Sequence, residues 1–260
     1  MKALILFTLL LLITMSSIAQ LKYIGHRGAS YYAPENSLAA IRLAWELNCD
    51  GAECDIRLTK DNQIVLWHDD NTARLTNEKL DIAKTDYSEL KKLTIKLSTT
   101  NSPWFSEERM PLLQEVLETV PKDRLLVIEI KCGKEVLPEL QKVIGQYWKS
   151  GNIAFISFNF ETISLAKSIF PELPCYYLSS AKEDVLKKIP DVIKNKLDGV
   201  DLYYKIIDQQ VVDEIRKANL GIWCWTVDAV DEALRMKNLG VETITTNRPT
   251  WLKEQIMSNK

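Results

Sequence analysis

Residues 22–57 read KYIGHRGASYYAPENSLAAIRLAWELNCDGAECDIR. A short β-like run at 22–25 is followed by a polar turn. The segment 36–48 then repeats apolar residues at helical spacing, and 51–57 opens a second extended run. Strand, amphipathic helix, strand is one βαβ unit, and the rest of the chain repeats the rhythm. Further strands are predicted at 125–130, 152–157, 174–178, 198–202, 220–226 and 241–246. Helices are predicted at 112–120, 134–149, 160–169, 182–194, 208–218, 228–239 and 249–258. The strand runs are almost continuously apolar (LLVIEI, IAFISF, GIWCWT), as parallel strands covered on both faces require. Eight such units predict an α/β fold, a TIM-type (β/α)8 barrel. A doubly wound sheet is the alternative, but no Gly-rich dinucleotide loop follows any strand.

One interval breaks the rhythm. Beyond Trp67 the pattern turns polar and irregular, and a small insertion after the second strand is expected over about 69–110. The N-terminus carries a different signal. Lys2, the apolar stretch Ala3–Met15 and Ser17-Ile18-Ala19 have the form of a cleaved secretory signal over 1–19. The barrel domain is then expected over 20–260, with export to the periplasm or medium. The apolar stretch is too short for a hydrocarbon core of about 30 Å, so stable membrane insertion is not expected.

The chain of 260 residues balances 33 Lys and Arg against 35 Asp and Glu, a net charge of -2. This leaves no basic excess for nucleic acid or an anionic membrane, and a small-molecule partner is expected. Five cysteines, Cys49, Cys54, Cys132, Cys175 and Cys224, lack metal-binding spacing, and three sit inside apolar runs. They read as buried thiols, with one disulfide pair as the alternative. There are only two histidines.

Polar residues concentrate in four places: Gly25-His26-Arg27-Gly28, Glu53-Cys54-Asp55, Trp67-His68-Asp69 and Glu129-Ile130-Lys131. Residues i and i+2 of a strand share a face, so Glu53 pairs with Asp55 and Glu129 with Lys131. Three carboxylates brought to one barrel mouth repel one another unless a cation or protons separate them, and their hard oxygens suit Ca²⁺ or Mg²⁺. Ordinary salt bridges to Arg27 and Lys131 are the alternative.

The stretch GHRGASYYAPENSLAAIRLAWELNCDGAECDIRLTKDNQIVLWHDD, 25–70, resembles the signature of the glycerophosphodiester phosphodiesterases: HRG, PEN followed by Thr or Ser, a glycine-led ExD with a T-K-D turn, then HD. RMPLLQEVLETVP, LLVIEIK, ISFNFETISLAK and WCWTVD resemble its later blocks. The resemblance implies a TIM-type barrel and one divalent cation, Ca²⁺ or Mg²⁺, on Glu53, Asp55 and Glu129. It implies His26 as base, His68 as acid, and phosphate contacts from Arg27 and Lys131. Trp225 is a candidate for the substrate pocket.

Deacylated phospholipids are the implied substrates, cleaved to glycerol 3-phosphate and an alcohol. Two alternatives remain: a lysophospholipase D-type enzyme, for which Trp104-Phe105 is the one hint of an apolar rim, and a non-catalytic phosphoryl-binding barrel. Asn36 is expected to cap the helix beginning SLAAI, with Glu35 in its first turn and Pro34 ahead of it, and its place in the family pattern near the site makes a direct role the alternative. Asp69 and Asp70 read as turn residues that could orient His68. Ser157, Asn159 and Tyr203 follow later strands and are weaker substrate candidates. The chain departs from the family pattern at Thr246-Asn247-Arg248-Pro249, where Asp is usual at the second position. It departs again at DNTARLTN, 70–77.

Overall fold

The computed structural model describes residues 21–258; the proposed signal segment 1–19 lies outside them. The chain opens with β1 (Lys22–Gly25), α1 (Leu38–Glu46) and β2 (Gly51–Leu58). A short strand β3 (Ile64–Leu66) and the small helices α2 (Tyr87–Leu90) and α3 (Leu113–Leu117) come next. Regular alternation then resumes with β4 (Leu125–Ile130), α4 (Leu137–Tyr147), β5 (Asn152–Ser157), α5 (Phe160–Ile169) and β6 (Cys175–Ser179). It ends with α6 (Lys182–Lys194), β7 (Gly199–Tyr203), α7 (Gln209–Lys217), β8 (Gly221–Trp225), α8 (Val230–Leu239), β9 (Thr243–Thr246) and α9 (Pro249–Ser258).

Eight of the strands close a parallel ring in the order β1-β2-β4-β5-β6-β7-β8-β9, with β9 returning to β1. This is the TIM barrel that the alternation predicted. Its strands are apolar on both faces because each face is covered. Outward residues such as Cys54, Leu126, Ile128 and Phe155 pack under the helices, while Ile24, Val127, Ile156, Leu178 and Trp223 fill the barrel.

The ninth strand was not foreseen. Strand β3 folds back antiparallel on the end of β2, with Ile56 opposite Leu66 and Leu58 opposite Ile64. The hairpin turns at Asn62, which takes a positive φ of 58°. Beyond it, residues up to α3 build a satellite core from Val65, Trp67, Ile82, Leu90, Ile95 and Met110. All five cysteines are free thiols, so no disulfide pair forms. Among the described residues, no helix is long and apolar enough to cross a membrane.

Candidate active site

Parallel strands end together, so the polar residues at their C-terminal ends meet at one mouth. The HRG segment turns sharply after β1. Arg27 has a φ of 53° and Gly28 one of 79°. A Cβ on Gly28 would lie within 2.6 Å of the Ala40 backbone, so only glycine lets the turn seat against α1. The Arg27 backbone N–H donates to Glu53 Oε2 at 2.8 Å, and the Gly28 N–H donates to the Glu53 carbonyl at 2.9 Å. The turn that presents His26 is thereby locked to the strand that presents the acids.

Glu53 and Asp55 are buried on β2, and Asp55 stands opposite Glu129 in the ladder. Oxygens of Glu53, Asp55 and Glu129 all lie within 4.8 Å of one another. Burial, then Asp55 and Glu129, push the Glu53 carboxyl well above its ordinary range. Glu129 is pushed up to about 7 by burial and by Asp55, against the pull of Lys131. Oε1 of Glu53 is buried with no hydrogen-bond partner. Three convergent carboxylates, with one Glu53 oxygen orphaned, make a donor set that fits a divalent cation such as Ca²⁺ or Mg²⁺.

Lys131 is the cation now nearest this group. Its Nζ is 2.8 Å from Glu129 Oε1 and 3.9 Å from Asp55 Oδ1. Arg27 approaches from the other side, with Nε 3.3 Å from Asp55 and Nη1 2.6 Å from Glu35.

The two histidines are presented with the same tautomer. Asn247 Nδ2 donates to Asp228 Oδ2 at 2.6 Å, which fixes the amide with its oxygen toward His26. His26 Nδ1 is 2.8 Å from that oxygen and must carry the proton, leaving the Nε2 lone pair free. Burial and the Arg27 charge push this imidazole down to about 4, so it is a neutral proton acceptor at ordinary pH. His68 Nδ1 donates to Asp69 Oδ1 at 2.6 Å, and its Nε2 faces Lys131 Nζ at 3.2 Å. Burial lowers His68 as well, while Asp55 and Asp69 favour its charged form. Strand β3 explains how His68 reaches the mouth: the hairpin returns the chain across the rim, and Arg57 grips the His68 carbonyl at 2.9 and 2.7 Å.

Seven of the eight residues singled out in the sequence line one narrow pocket of about 120 Å³: His26, Arg27, Glu53, His68, Glu129, Lys131 and Trp225. The eighth, Asp55, belongs to the same acid group. An open groove of about 500 Å³ adjoins it, sharing His68 and Lys131 and lined by Asp69, Asp70 and Arg74.

Several lesser readings are corrected. Ser37, not Asn36, caps α1, accepting from the Ala40 N–H at 3.0 Å. Asn36 instead adopts a φ of 55° and clamps Asp55, donating from Nδ2 to Oδ2 at 2.8 Å and accepting the Asp55 N–H at 3.0 Å. Glu35 lies ahead of the helix and ties Arg27 to Arg74; despite burial, these two cations hold its carboxyl at about 2. Ser157 donates to the Ile130 carbonyl, and Asn159 caps α5.

Asp69 orients His68, whereas Asp70 is exposed and pairs with Arg57. Sequence reading missed Asp228 and the structural use of Asn247. The departure from the usual Asp at 247 was visible, but its partner, contributed from the other end of α8, was not. Asp201, also overlooked, lies in the cavity wall.

Imidazoles, inward cations and a cation-ready acid group suit attack on an anionic ester, and this mouth on this barrel is that of a phosphoric diester hydrolase. The sequence match is specific: residues 26–250 fit the pattern of the glycerophosphoryl diester phosphodiesterase family, and the chain belongs to it. It is 32% identical over 234 residues to a glycerophosphodiester phosphodiesterase of Caldanaerobacter subterraneus, covering 88% of this chain and 95% of that one. A human lysophospholipase D is 24% identical over 270 residues, covering 90% and 85%. An Oleispira antarctica phosphodiesterase, solved with the product sn-glycerol-3-phosphate, superposes with a TM-score of 0.83 at 28% identity. That match covers 91% of this chain and 96% of the other.

Proposed function

We propose that this chain is an exported, divalent-metal-dependent glycerophosphodiester phosphodiesterase, releasing glycerol 3-phosphate and an alcohol. The observation that carries this reading is the acid group Glu53, Asp55 and Glu129 sharing a cavity wall with two imidazoles whose Nδ1 atoms are held by Asn247 and Asp69, which leaves each Nε2 for proton transfer. A bound Ca²⁺ or Mg²⁺ would supply Lewis-acid stabilisation of charge on the non-bridging phosphate oxygens. Glu53, Asp55 and Glu129 would hold it, and Asn36 would fix the angle of Asp55.

Arg27 and Lys131 contact the same phosphate oxygens, an arrangement that strengthens as charge develops. A phosphate also gives Lys131 Nζ a better acceptor than His68, which opens His68 Nε2. His26 Nε2 takes the proton of the attacking hydroxyl. That hydroxyl belongs to water or to the neighbouring glycerol carbon, in which case water then opens the cyclic phosphate. His68 first takes a proton from solvent on Nε2; Asp69 favours the imidazolium so formed, which gives that proton to the departing alkoxide. Trp225 walls the pocket. The leader-like segment 1–19 supports a periplasmic or secreted location.

A second reading has one observation in its favour: Trp104 in the insertion is 92% exposed, as an apolar rim for lipid aggregates would need. The human lysophospholipase D relative points the same way. Rates on soluble glycerophosphocholine and on micellar lysophosphatidylcholine separate the two. Faster turnover of the soluble diester is expected, and clear preference for the micelle would replace the proposal with the lipase.

A further inference from the structure

The catalytic scheme leaves one buried acid unused. Asp201 points into the barrel from β7 at 1% exposure, and neither of its carboxyl oxygens has a hydrogen-bond partner. Buried side-chain oxygens nearly always find partners, so two orphans on one carboxyl single it out. Trp225 Nε1 donates to the Asp201 main-chain carbonyl at 3.2 Å, fixing the indole against this strand beside the carboxyl group. In the ladder Asp201 stands beside Leu178 and Trp223, one pleat deeper than the Tyr203–Trp225 pair. Its side chain therefore faces the inner end of the 120 Å³ cavity, where Ile156 and Leu178 are the other walls.

We propose that Asp201 is a substrate-recognition residue whose carboxyl group receives the free hydroxyls of the glycerol end. Burial, then the Glu129 charge, hold Asp201 well above the carboxylate range, so it presents one O–H donor and one carbonyl acceptor. A pair of adjacent hydroxyls can accept from the first and donate to the second. A quaternary ammonium head group has no N–H to donate, and an anionic phosphate would meet no positive charge at this wall. The two spaces at the mouth divide in the same sense. The narrow pocket runs in to Asp201, while the wider, more open groove runs past Asp69, Asp70 and Arg74 beyond His68, the proposed acid toward the departing alcohol. The constant part of the substrate enters the narrow side and the variable head group lies in the wider one. This assignment rests on the proposed glycerophosphodiester activity.

The test compares wild type, Asp201→Leu and Asp201→Asn on glycerophosphocholine and on p-nitrophenyl phosphocholine, which keeps the choline but lacks glycerol. Asp201→Leu should raise KM for glycerophosphocholine about 10-fold or more, because a site built for hydroxyls loses its partner. The same variant should stay within about twofold of wild type on p-nitrophenyl phosphocholine. Its melting temperature should not fall, since a buried orphan polar group is removed. Asp201→Asn retains a donor and an acceptor and should recover most of the affinity. Equal losses on both substrates, or no loss on either, would overturn the assignment. A wild type that cleaves no glycerophosphocholine would instead overturn the functional reading beneath it.

Discussion

The two ends of the barrel differ in a way that volume alone would misjudge. The N-terminal mouth holds the larger hollow, about 550 Å³, lined by Tyr176, Trp223, Leu125 and Pro174, with Asp123, Glu172 and Glu242 around it. The narrow pocket at the C-terminal mouth is about 120 Å³. Yet the acids with strongly raised carboxyls, both histidines and the orphan carboxyl oxygens of Glu53 and Asp201 belong to the smaller one. Two tryptophans two residues apart on β8 mark the divide. Trp223 stacks on Tyr176 at 3.9 Å and closes the lower end, while Trp225 lines the catalytic cavity. Convergent, incompletely satisfied polar groups identify a site; a hollow beneath a barrel without them reports packing.

Substitutions at the two ends should therefore separate cleanly. The largest effect is expected for His26→Ala and His68→Ala, each lowering kcat for glycerophosphocholine about 10³-fold with the fold retained. A fully active alanine variant would remove that histidine from the chemistry. His26 also sets a pH response. Its folded value of about 4 lies below the unfolded value near 6.5. The unfolded chain thus binds more protons between these values, and stability falls as pH drops from about 6.5 toward 4. Urea titrations across that window should show this loss, and His26→Ala should lack its share of it.

The next largest effect belongs to Asp228→Asn. This change frees the Asn247 amide to turn its NH₂ toward His26, which places the ring proton on Nε2 and removes the base. A fall in kcat of about 10²-fold is expected, with KM nearly unchanged. An unaltered kcat would show that the ring orientation does not depend on this chain of contacts. Asn36→Ala is milder. With Asp55 released, the metal concentration for half-maximal activity should rise about 10-fold or more, while excess metal restores the rate.

At the other mouth, Trp223→Ala should cost about 3–5 kcal/mol of stability and leave kcat within about twofold. Glu172→Ala, exposed on the same rim, should change stability by no more than about 0.5 kcal/mol and leave the rate intact. A large loss of activity from either would give the lower mouth a function and undo the contrast.

The barrel was legible in the sequence because both faces of its strands are buried, which writes runs such as LLVIEI and IAFISF into the chain. The main site residues were legible for a related reason: charged residues inside such runs, as in AECDI and VIEIK, have no packing role. Strand β3 was hidden because three apolar residues satisfy no period, and its pairing with β2 depends on a turn rather than on pattern. The sequence left Asn36 between a cap and a place at the site because Asn is a good helix cap, and only the left-handed backbone shows Ser37 taking the cap and Asn36 on Asp55. Asp228 and Asn247 sit nineteen residues apart on opposite sides of α8, and their contact exists only once β8 and β9 lie side by side. Asp201 sits in GVDLY like any polar residue near a strand end, and only its missing partners distinguish it.

The most direct test of the central claim is release of glycerol 3-phosphate from glycerophosphocholine by protein stripped with EDTA, before and after Ca²⁺, Mg²⁺ or Mn²⁺ is returned. The account predicts no release without metal and recovery with at least one of the three, abolished in Glu53→Gln. Full activity in the stripped protein, or none with any of the three ions, would contradict it.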